Sequence, residues 1–398
     1  MLFTADEVFD FVEQEDVKFI RLAFCDIYGR QKNISIMPEE LKRAFSDGIS
    51  FDASAVRGFG SEVKSDLLLF PIPSTFNVLP WRPTRGKVVR MFCDIRRPDG
   101  APFEKDPRRI LKDAVKKAAE KGISVNFGSE FEFYLFKTDT DGNSTKIPFD
   151  NAGYMDVAPD DKGENIRREI CLSLYDMGIR PESSHHEEGP GQNEIDFRYS
   201  DPIAAADNAM NFITVVKAAA MNNGLFADFS PKPLRNESGN GMHINMSVKS
   251  ADGKDVTPGF MAGIMNRIRE MTFFLNPSED SYKRLGEKKA PKYITWSHEN
   301  RSQLVRIPAA KGEYKRIELR SPDPTANPYI AFALLIYAGL EGIEKALGVP
   351  EAVNANLFTA DESVTGKLER LPQSLEEAKE IAAKSEFIRT YLPEGFAG

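Results

Sequence analysis

Histidine and cysteine are scarce in this chain, with four of one and three of the other among 398 residues. Cys25, Cys93 and Cys171 lie far apart, are odd in number and lack the spacing of metal ligands, which excludes a disulfide framework and fits reduced thiols in a core. So few soft ligands also argue against a zinc centre. No run of about 18 apolar residues is available to cross a membrane, and Met1-Leu2-Phe3-Thr4 opens into an acidic segment without the basic start of a signal peptide. A cytoplasmic protein is therefore expected. The formal net charge of −8 excludes nonspecific attraction to nucleic acid or to an anionic membrane. The familiar phosphate loops are missing: there is no Gly-x-x-x-x-Gly-Lys-Ser/Thr, and Gly58-Phe59-Gly60 and Gly189-Pro190-Gly191 lack the third glycine of a dinucleotide fingerprint.

What is present suits a large globular core of two or more domains, since 41% of the residues are hydrophobic. Thr4 and Glu7 form a capping box before an amphipathic start, predicting a short helix. Val17 to Asp26 and Gln31 to Met37 flank Tyr28-Gly29 as a hairpin, Pro38 opens a helix through Ala44, and Lys87 to Ile95 reads as a further strand. The turn cluster Arg97-Pro98-Asp99-Gly100 places a domain boundary, giving residues 1–100 and 101–398. Asp106 and Pro107 then start a helix whose stripe is Ile110, Leu111, Ala114, Val115 and Ala118, and Gly122 stops it.

Four later segments alternate with the two-residue period of a strand and gather acids or histidine on the polar face. Glu130 and Glu132 lie opposite Phe127, Phe131, Phe133 and Leu135. Glu194 and Asp196 alternate with Ile195 and Phe197, just after His185-His186-Glu187. His243, Asn245 and Ser247 oppose Met242, Ile244, Met246 and Val248. In Lys315 to Arg320, Arg316, Glu318 and Arg320 share one face, a carboxylate set between two guanidiniums. Solvent-facing strands and a bound cation both explain paired acids of this kind. A sheet curled about the four faces would collect mostly oxygen ligands, which favours Mg2+ or Mn2+. The window Lys283 to Arg320 holds 11 Lys and Arg against 4 Asp and Glu, or +7, within an acidic chain, and so suits an anionic ligand. Phosphate chemistry would then rest on metal ions and arginines on a sheet.

With these residues the chain resembles type I glutamine synthetase, in motif order from about Val17 to the C-terminus. The motifs include Phe51-Asp52-Ala53-Ser54, Gly128-Ser129-Glu130-Phe131-Glu132-Phe133, His185-His186-Glu187, Gly191-Gln192-Asn193-Glu194-Ile195, Gly241-Met242-His243, Asn300-Arg301-Ser302, Arg306-Ile307-Pro308 and Arg316-Ile317-Glu318-Leu319-Arg320. The resemblance implies an α+β fold: a small N-terminal β-grasp domain and a large catalytic domain whose curved antiparallel sheet forms a barrel-like active site between subunits. It implies two or more Mg2+ or Mn2+ ions, with Glu132, Glu187 and Glu194 on one and Glu130, His243 and Glu318 on the second. Its activity would join L-glutamate to ammonia through an acyl phosphate made with ATP. Arg301, Arg306 and Arg320 would balance phosphoryl and acyl-phosphate charge, Arg284 would hold the α-carboxylate of glutamate, and Gly239 in the Ser238-Gly239-Asn240-Gly241 loop would approach the amino acid. Ser247, Arg306 and Arg316 would hold the nucleotide. Asp52 would reach a neighbour's site and, with Tyr154 and Glu187, bind ammonium and take its proton, which implies a homo-oligomer, a hexameric ring.

Several positions depart from the family pattern. Lys289 precedes Ala290-Pro291 where the family has a flap glutamate, in a segment one residue short, so either Glu287 swings in or the pocket accepts an organic amine in place of ammonia. Ala55 and Ser238 replace a serine and an asparagine of the family's substrate sites. Phe358 stands where some relatives carry a modifiable tyrosine, and the chain ends at Gly398 where relatives continue into a helical extension used for ring-to-ring contact. Two alternatives to glutamine synthesis follow: a γ-glutamyl amide ligase using an alkylamine, ethanolamine or polyamine, and a non-catalytic relative with a structural or regulatory role.

Overall fold

A computed structural model of the chain describes residues 3–60, 63–82 and 85–397. Met1-Leu2, read above for a leader, and Gly398 lie outside the described residues. The first helix, α1 (Ala5–Gln14), starts at the expected capping box, with the Thr4 side chain accepting from the Glu7 amide and Glu7 returning to the Thr4 backbone. Strands β1 (Val17–Cys25) and β2 (Gln31–Ile36) form the expected hairpin. The segment after Pro38 opens as a short 3-10 turn and becomes the α-helix α2 only over Leu41–Ser46. Then come β3 (Ile49–Asp52), β4 (Asp66–Pro71), β5 (Asn77–Val78) and β6 (Lys87–Arg96). The sheet runs β2-β1-β6-β4-β3, with β5 also on β6, and β1 lies parallel to β6.

The second sheet begins after α3 (Pro107–Glu120), capped by the Asp106 side chain on the Arg108 amide. Its spine is β7 (Ile123–Thr138), flanked by β8 (Ser144–Pro148), β9 (Pro181–His186), β10 (Gln192–Phe197), β11 (Leu225–Asp228) and β12 (Met242–Ser250), and closed by β13 (Trp296–His298), β14 (Val305–Ile307) and β15 (Ile317–Leu319). The order is β13-β14-β15-β12-β7-β10-β9, with β8 and β11 also pairing β7. The expected antiparallel sheet is therefore mixed, because β13 and β14 pair in parallel at its edge. It curls into a half-barrel.

One face of that sheet is sealed by helices from the series that follows α3: α4 (Glu164–Asp176), α5 (Pro202–Asn222), α6 (Thr257–Leu275), α7 (Glu279–Arg284) and α8 (Pro328–Glu344). Phe127, Phe131, Phe133 and Leu135 on β7 are fully buried. Phe127 stacks on Phe332 of α8 (Pro328–Glu344) at 4.3 Å, and Phe131 packs 5.0 Å from Phe212 of α5 (Pro202–Asn222). Helix α8 is apolar around its circumference, which is the pattern of a helix with neighbours on every side. With the apolar alternates committed to this core, every polar alternate of β7, β10 and β12 must face the opposite way.

Candidate active site

Register brings the polar faces together. His243 lies across from Glu130 on one side of β7, and Asp196 across from Glu130 on the other, so Asp196, Glu130 and His243 form a row. Two residues along, Glu132 sits beside Glu194, which sits beside His185. A third row joins Asn245, Glu318 and Arg306. Cross-strand neighbours on one face are about 5 Å apart, so the paired acids of the first two rows repel each other without counter-charge, whereas the third row carries its own in Arg306.

A cavity of about 340 Å³ opens over these rows and is lined by Glu130, Glu132, Glu187, Glu194 and His243 together with Arg284, Arg301, Arg306, Arg316 and Arg320. Tyr154, His185, Gly239 and Lys289 are also among its lining residues. Glu318 lies directly behind, fully buried, with one oxygen 3.9 Å from His243 Nδ1. Its guanidinium partners are Arg306 and Arg320, both at 2.5 Å. This corrects the expected sandwich between Arg316 and Arg320. The strand spans only Ile317–Leu319, and Arg316 turns away so that its Nε donates to Asn245 Oδ1 at 2.8 Å. Arg306 instead arrives from β14, directly across from Glu318. A smaller cavity of about 90 Å³ holds Ser247 and shares Glu130, Asp196 and Arg316 with the larger one.

Possible ligand atoms also group differently from the expected partition. One atom each of Glu130, Glu194 and His243 lie within 4.8 Å of one another, as do those of His185, Glu187 and Glu194. Glu194 is thus common to both clusters, and His185 joins the second. His186 turns the other way, its Nε2 2.9 Å from Asp150 Oδ1 and its Nδ1 2.7 Å from the Glu187 carbonyl oxygen. It anchors the backbone of Glu187 and has the hydrogen-bonded role expected of an ordinary histidine.

The charges are unevenly compensated. Burial alone would raise Glu130, but the hydrogen bond and charge of His243, the amide of Asn245 and the field of Arg320 outweigh it and hold the carboxyl down at about 2. Burial first, then Glu132, pushes Glu187 up to about 7. Burial and then Asp196 raise Glu194, and burial and then Glu130 push Asp196 up to about 8. His185 is lowered by burial first and then by Arg167, leaving a neutral imidazole among acids. Several oxygens and two imidazoles around an unfilled negative potential are what a hard divalent cation takes as ligands, so the donor set fits Mg2+ or Mn2+ and is poor for zinc.

The remaining predicted residues divide between the wall and the surface. Arg284 is 3% exposed, with Nη1 donating to the Ser321 carbonyl at 2.9 Å, so its position is fixed by backbone. Gly239 leaves no room for a side chain: a Cβ there would lie 2.4 Å from the Pro231 oxygen and 2.8 Å from Arg284 Cγ. Asn240 ties down the same loop, donating to the Asp228 and Ser230 carbonyls and accepting from Gln192 Nε2 at 3.2 Å. Lys289 reaches Glu188 at 2.6 Å and lies 5.4 Å from the centroid of the Tyr154 ring, whereas Glu287 is exposed and does not line the cavity. Asp52 is exposed and outside the cavity, its carboxylate accepting from the Ser54 amide at 2.9 Å and from the Ser54 hydroxyl at 2.6 Å. Asn245 and Gln192 were given no role from sequence. Their amide groups bridge to Glu130 and to the glycine loop, and only cross-strand register reveals it.

Residues 104–398 match the family described as glutamine synthetase, catalytic domain, and residues 16–98 match glutamine synthetase, beta-Grasp domain. The chain belongs to the glutamine synthetase family. A glutamine synthetase of Clostridium saccharobutylicum is 44% identical over 98% of this chain and 91% of its own length. One of Methanosarcina mazei is likewise 44% identical, and one of Staphylococcus aureus 42%, each with the same coverage. A solved structure titled GmaS/ADP complex superposes with a TM-score of 0.89 at 29% identity, over 98% of this chain and 93% of that one. The Plasmodium falciparum glutamine synthetase shares the fold, with a TM-score of 0.86 at 23% identity, over 99% of this chain and 94% of that one. Membership makes the protein an ATP-dependent carboxylate–amine ligase of the glutamine synthetase type, with ATP and divalent metals as the family's cofactors. Among the described residues no helix is long and apolar enough to cross a membrane.

Proposed function

We propose that the protein joins L-glutamate to ammonia, forming glutamine through γ-glutamyl phosphate. The observation that carries this reading is one cavity lined together by carboxylates, histidines and guanidiniums. Mg2+ or Mn2+ held by Glu130, Glu132, Glu187, Glu194, His243 and Glu318 would supply charge neutralisation for phosphate oxygens and the substrate carboxylate. The chain's own groups account for the rest. Arg284, fixed by the Ser321 carbonyl, offers its guanidinium to the α-carboxylate of glutamate. The loop at Gly239 brings backbone close to the amino acid. Arg301, Arg306 and Arg320 balance the charge that builds as the γ-carboxylate attacks the terminal phosphorus of ATP. Holding the two reactants in one cavity makes that attack effectively intramolecular. Ser247 and Arg316, which line the smaller adjoining cavity, would hold the nucleotide.

Ammonium cannot attack until it loses a proton, so an acid must stand beside it. Tyr154 and Glu187 line the cavity, and Asp52 completes the set from a neighbouring chain. Its exposed position outside its own chain's cavity fits that role and a hexameric ring. A cytoplasmic setting fits the reduced thiols and the substrates. The pairing of Lys289 with Glu188 and with the face of Tyr154 favours a second reading, in which an organic amine replaces ammonia. Phosphate release from ATP with L-glutamate, measured across ammonium, methylamine, ethanolamine and polyamines for wild type and Lys289→Glu, separates the two. Turnover fastest with ammonium in both proteins removes the second reading, and no amine-dependent release with any acceptor removes both.

A further inference from the structure

The roomiest cavity described in this protein is not the catalytic one. It measures about 710 Å³ and lies where the β1–β2 turn meets α5, the C-terminal end of α6 (Thr257–Leu275) and the start of α8. Among the described residues it shares no lining side chain with the acid-lined cavity. Its three charged lining residues, Arg30, Arg57 and Lys217, are all cations, in a chain whose net charge is −8. No ion pair within 4.0 Å engages any of them among the described residues. Lys217 is lowered from its ordinary value by partial desolvation, against the opposing pull of Asp228, and it lines the same cavity as Arg30, both side chains reaching solvent. Asp228 is itself occupied by Lys146.

Much of the remaining lining is apolar, interrupted by Gln31, Thr214, Ser278, Thr325 and Asn327. Phe229, Phe273, Phe274 and Phe396 contribute rings, and Lys217 lies 5.9 Å from the centroid of Phe229. The turn on the opposite wall is rigid. Asn327 Nδ2 donates to the Asp26 and Ile27 carbonyls at 3.2 Å, and Gly29, with φ +78°, packs so closely on Asn327 that a Cβ would come within 2.9 Å. Such a space is pre-formed, and a pre-formed pocket with unmatched charge and ring walls selects its ligand by both features.

We propose that this cavity is a second binding site, for a small anion with a planar apolar body, such as an aromatic carboxylate or sulfonate. Arg30 and Lys217 take the anionic group and the phenylalanine rings take the flat body.

The test uses 8-anilinonaphthalene-1-sulfonate as the probe and N-phenyl-1-naphthylamine, which lacks the sulfonate, as its neutral counterpart. Fluorescence titrations are run on wild type, on the Arg30→Gln/Lys217→Gln double variant, and on Thr214→Trp, which fills the cavity from α5. The substituted positions are exposed or half-buried, and unchanged melting temperatures check that each variant folds. Wild type is expected to bind the sulfonate saturably at one site per chain. The double variant should bind it roughly tenfold more weakly or worse, as expected for loss of charge-assisted contacts. Thr214→Trp should abolish binding, and the neutral probe should bind wild type and double variant alike. No saturable binding in wild type, or equal sulfonate affinity in wild type and either variant, overturns the proposal.

Discussion

The β15 side and the β10 side of the acid-bearing sheet face behave in opposite ways. At the β15 end, Glu318 is buried completely yet held between two guanidiniums, and neighbouring Glu130 is held down at about 2 by His243, Asn245 and Arg320. At the β10 end, Glu187, Glu194 and Asp196 are buried with mainly other carboxylates for company and rise together. The residue types are the same; the neighbours differ. The compensated end holds its shape through its own ion pairs, whereas the uncompensated end carries a deficit that a divalent cation would offset. Cation binding would therefore couple to folding at the β10 end far more than at the β15 end.

Removing the central acid of the compensated end should have the largest effect. Glu318→Ala leaves Arg306 and Arg320 buried without their counter-ion, a loss of about 3–5 kcal/mol in urea unfolding, with turnover falling at least about a hundredfold. Unchanged phosphate release would remove Glu318 from the site. The mirror substitution should do the reverse to the metal-free protein. Glu194→Gln removes a source of repulsion and should stabilise it at pH 8, while abolishing any stabilisation that Mg2+ or Mn2+ gives wild type. A loss of stability would mean that the β10 end is compensated after all.

Acidity sharpens the same contrast. A carboxyl raised on folding binds protons more tightly in the native than in the unfolded state, so stability is highest below the unfolded value and declines as pH rises through the folded one. For Glu187 and Asp196 that window runs from the ordinary carboxylate range up to about 7 and about 8. The metal-free melting temperature should therefore fall between pH 5 and pH 8, and saturating Mg2+ should flatten the fall. A metal-free melting temperature that climbs across this range contradicts the assignment. Arg316→Ala should have the smallest effect. It sits half-buried at the rim on Asn245, so stability should stay within about 0.5 kcal/mol, while KM for ATP rises a few-fold in steady-state kinetics.

Periodicity and turn chemistry made much of the fold legible. The Thr4 capping box, the hairpin around Tyr28-Gly29, the Asp106-Pro107 start and the polar faces of β7, β10 and β12 are local patterns, and the structure contains them. Arg316 shows where such reading stops. Alternation put it beside Glu318, but Arg306 stands there instead, since a three-residue strand ends before the pattern does. Asn245 and Gln192 gave no such local signal, because their partners Glu130 and Gly239 lie dozens of residues away.

By itself the sequence determined which side chains face away from the core, since a strand's two-residue alternation is a property of the backbone and needs no neighbour. It also determined the supply of oxygen ligands and arginines. Which acid lies beside which counter-charge was decided only by tertiary structure, through the register of β10, β12 and β15 on the sheet. That register sets Glu318 between guanidiniums and Glu194 among carboxylates, because the field at a buried carboxyl depends on charges a few ångströms away in space, however distant they are along the chain.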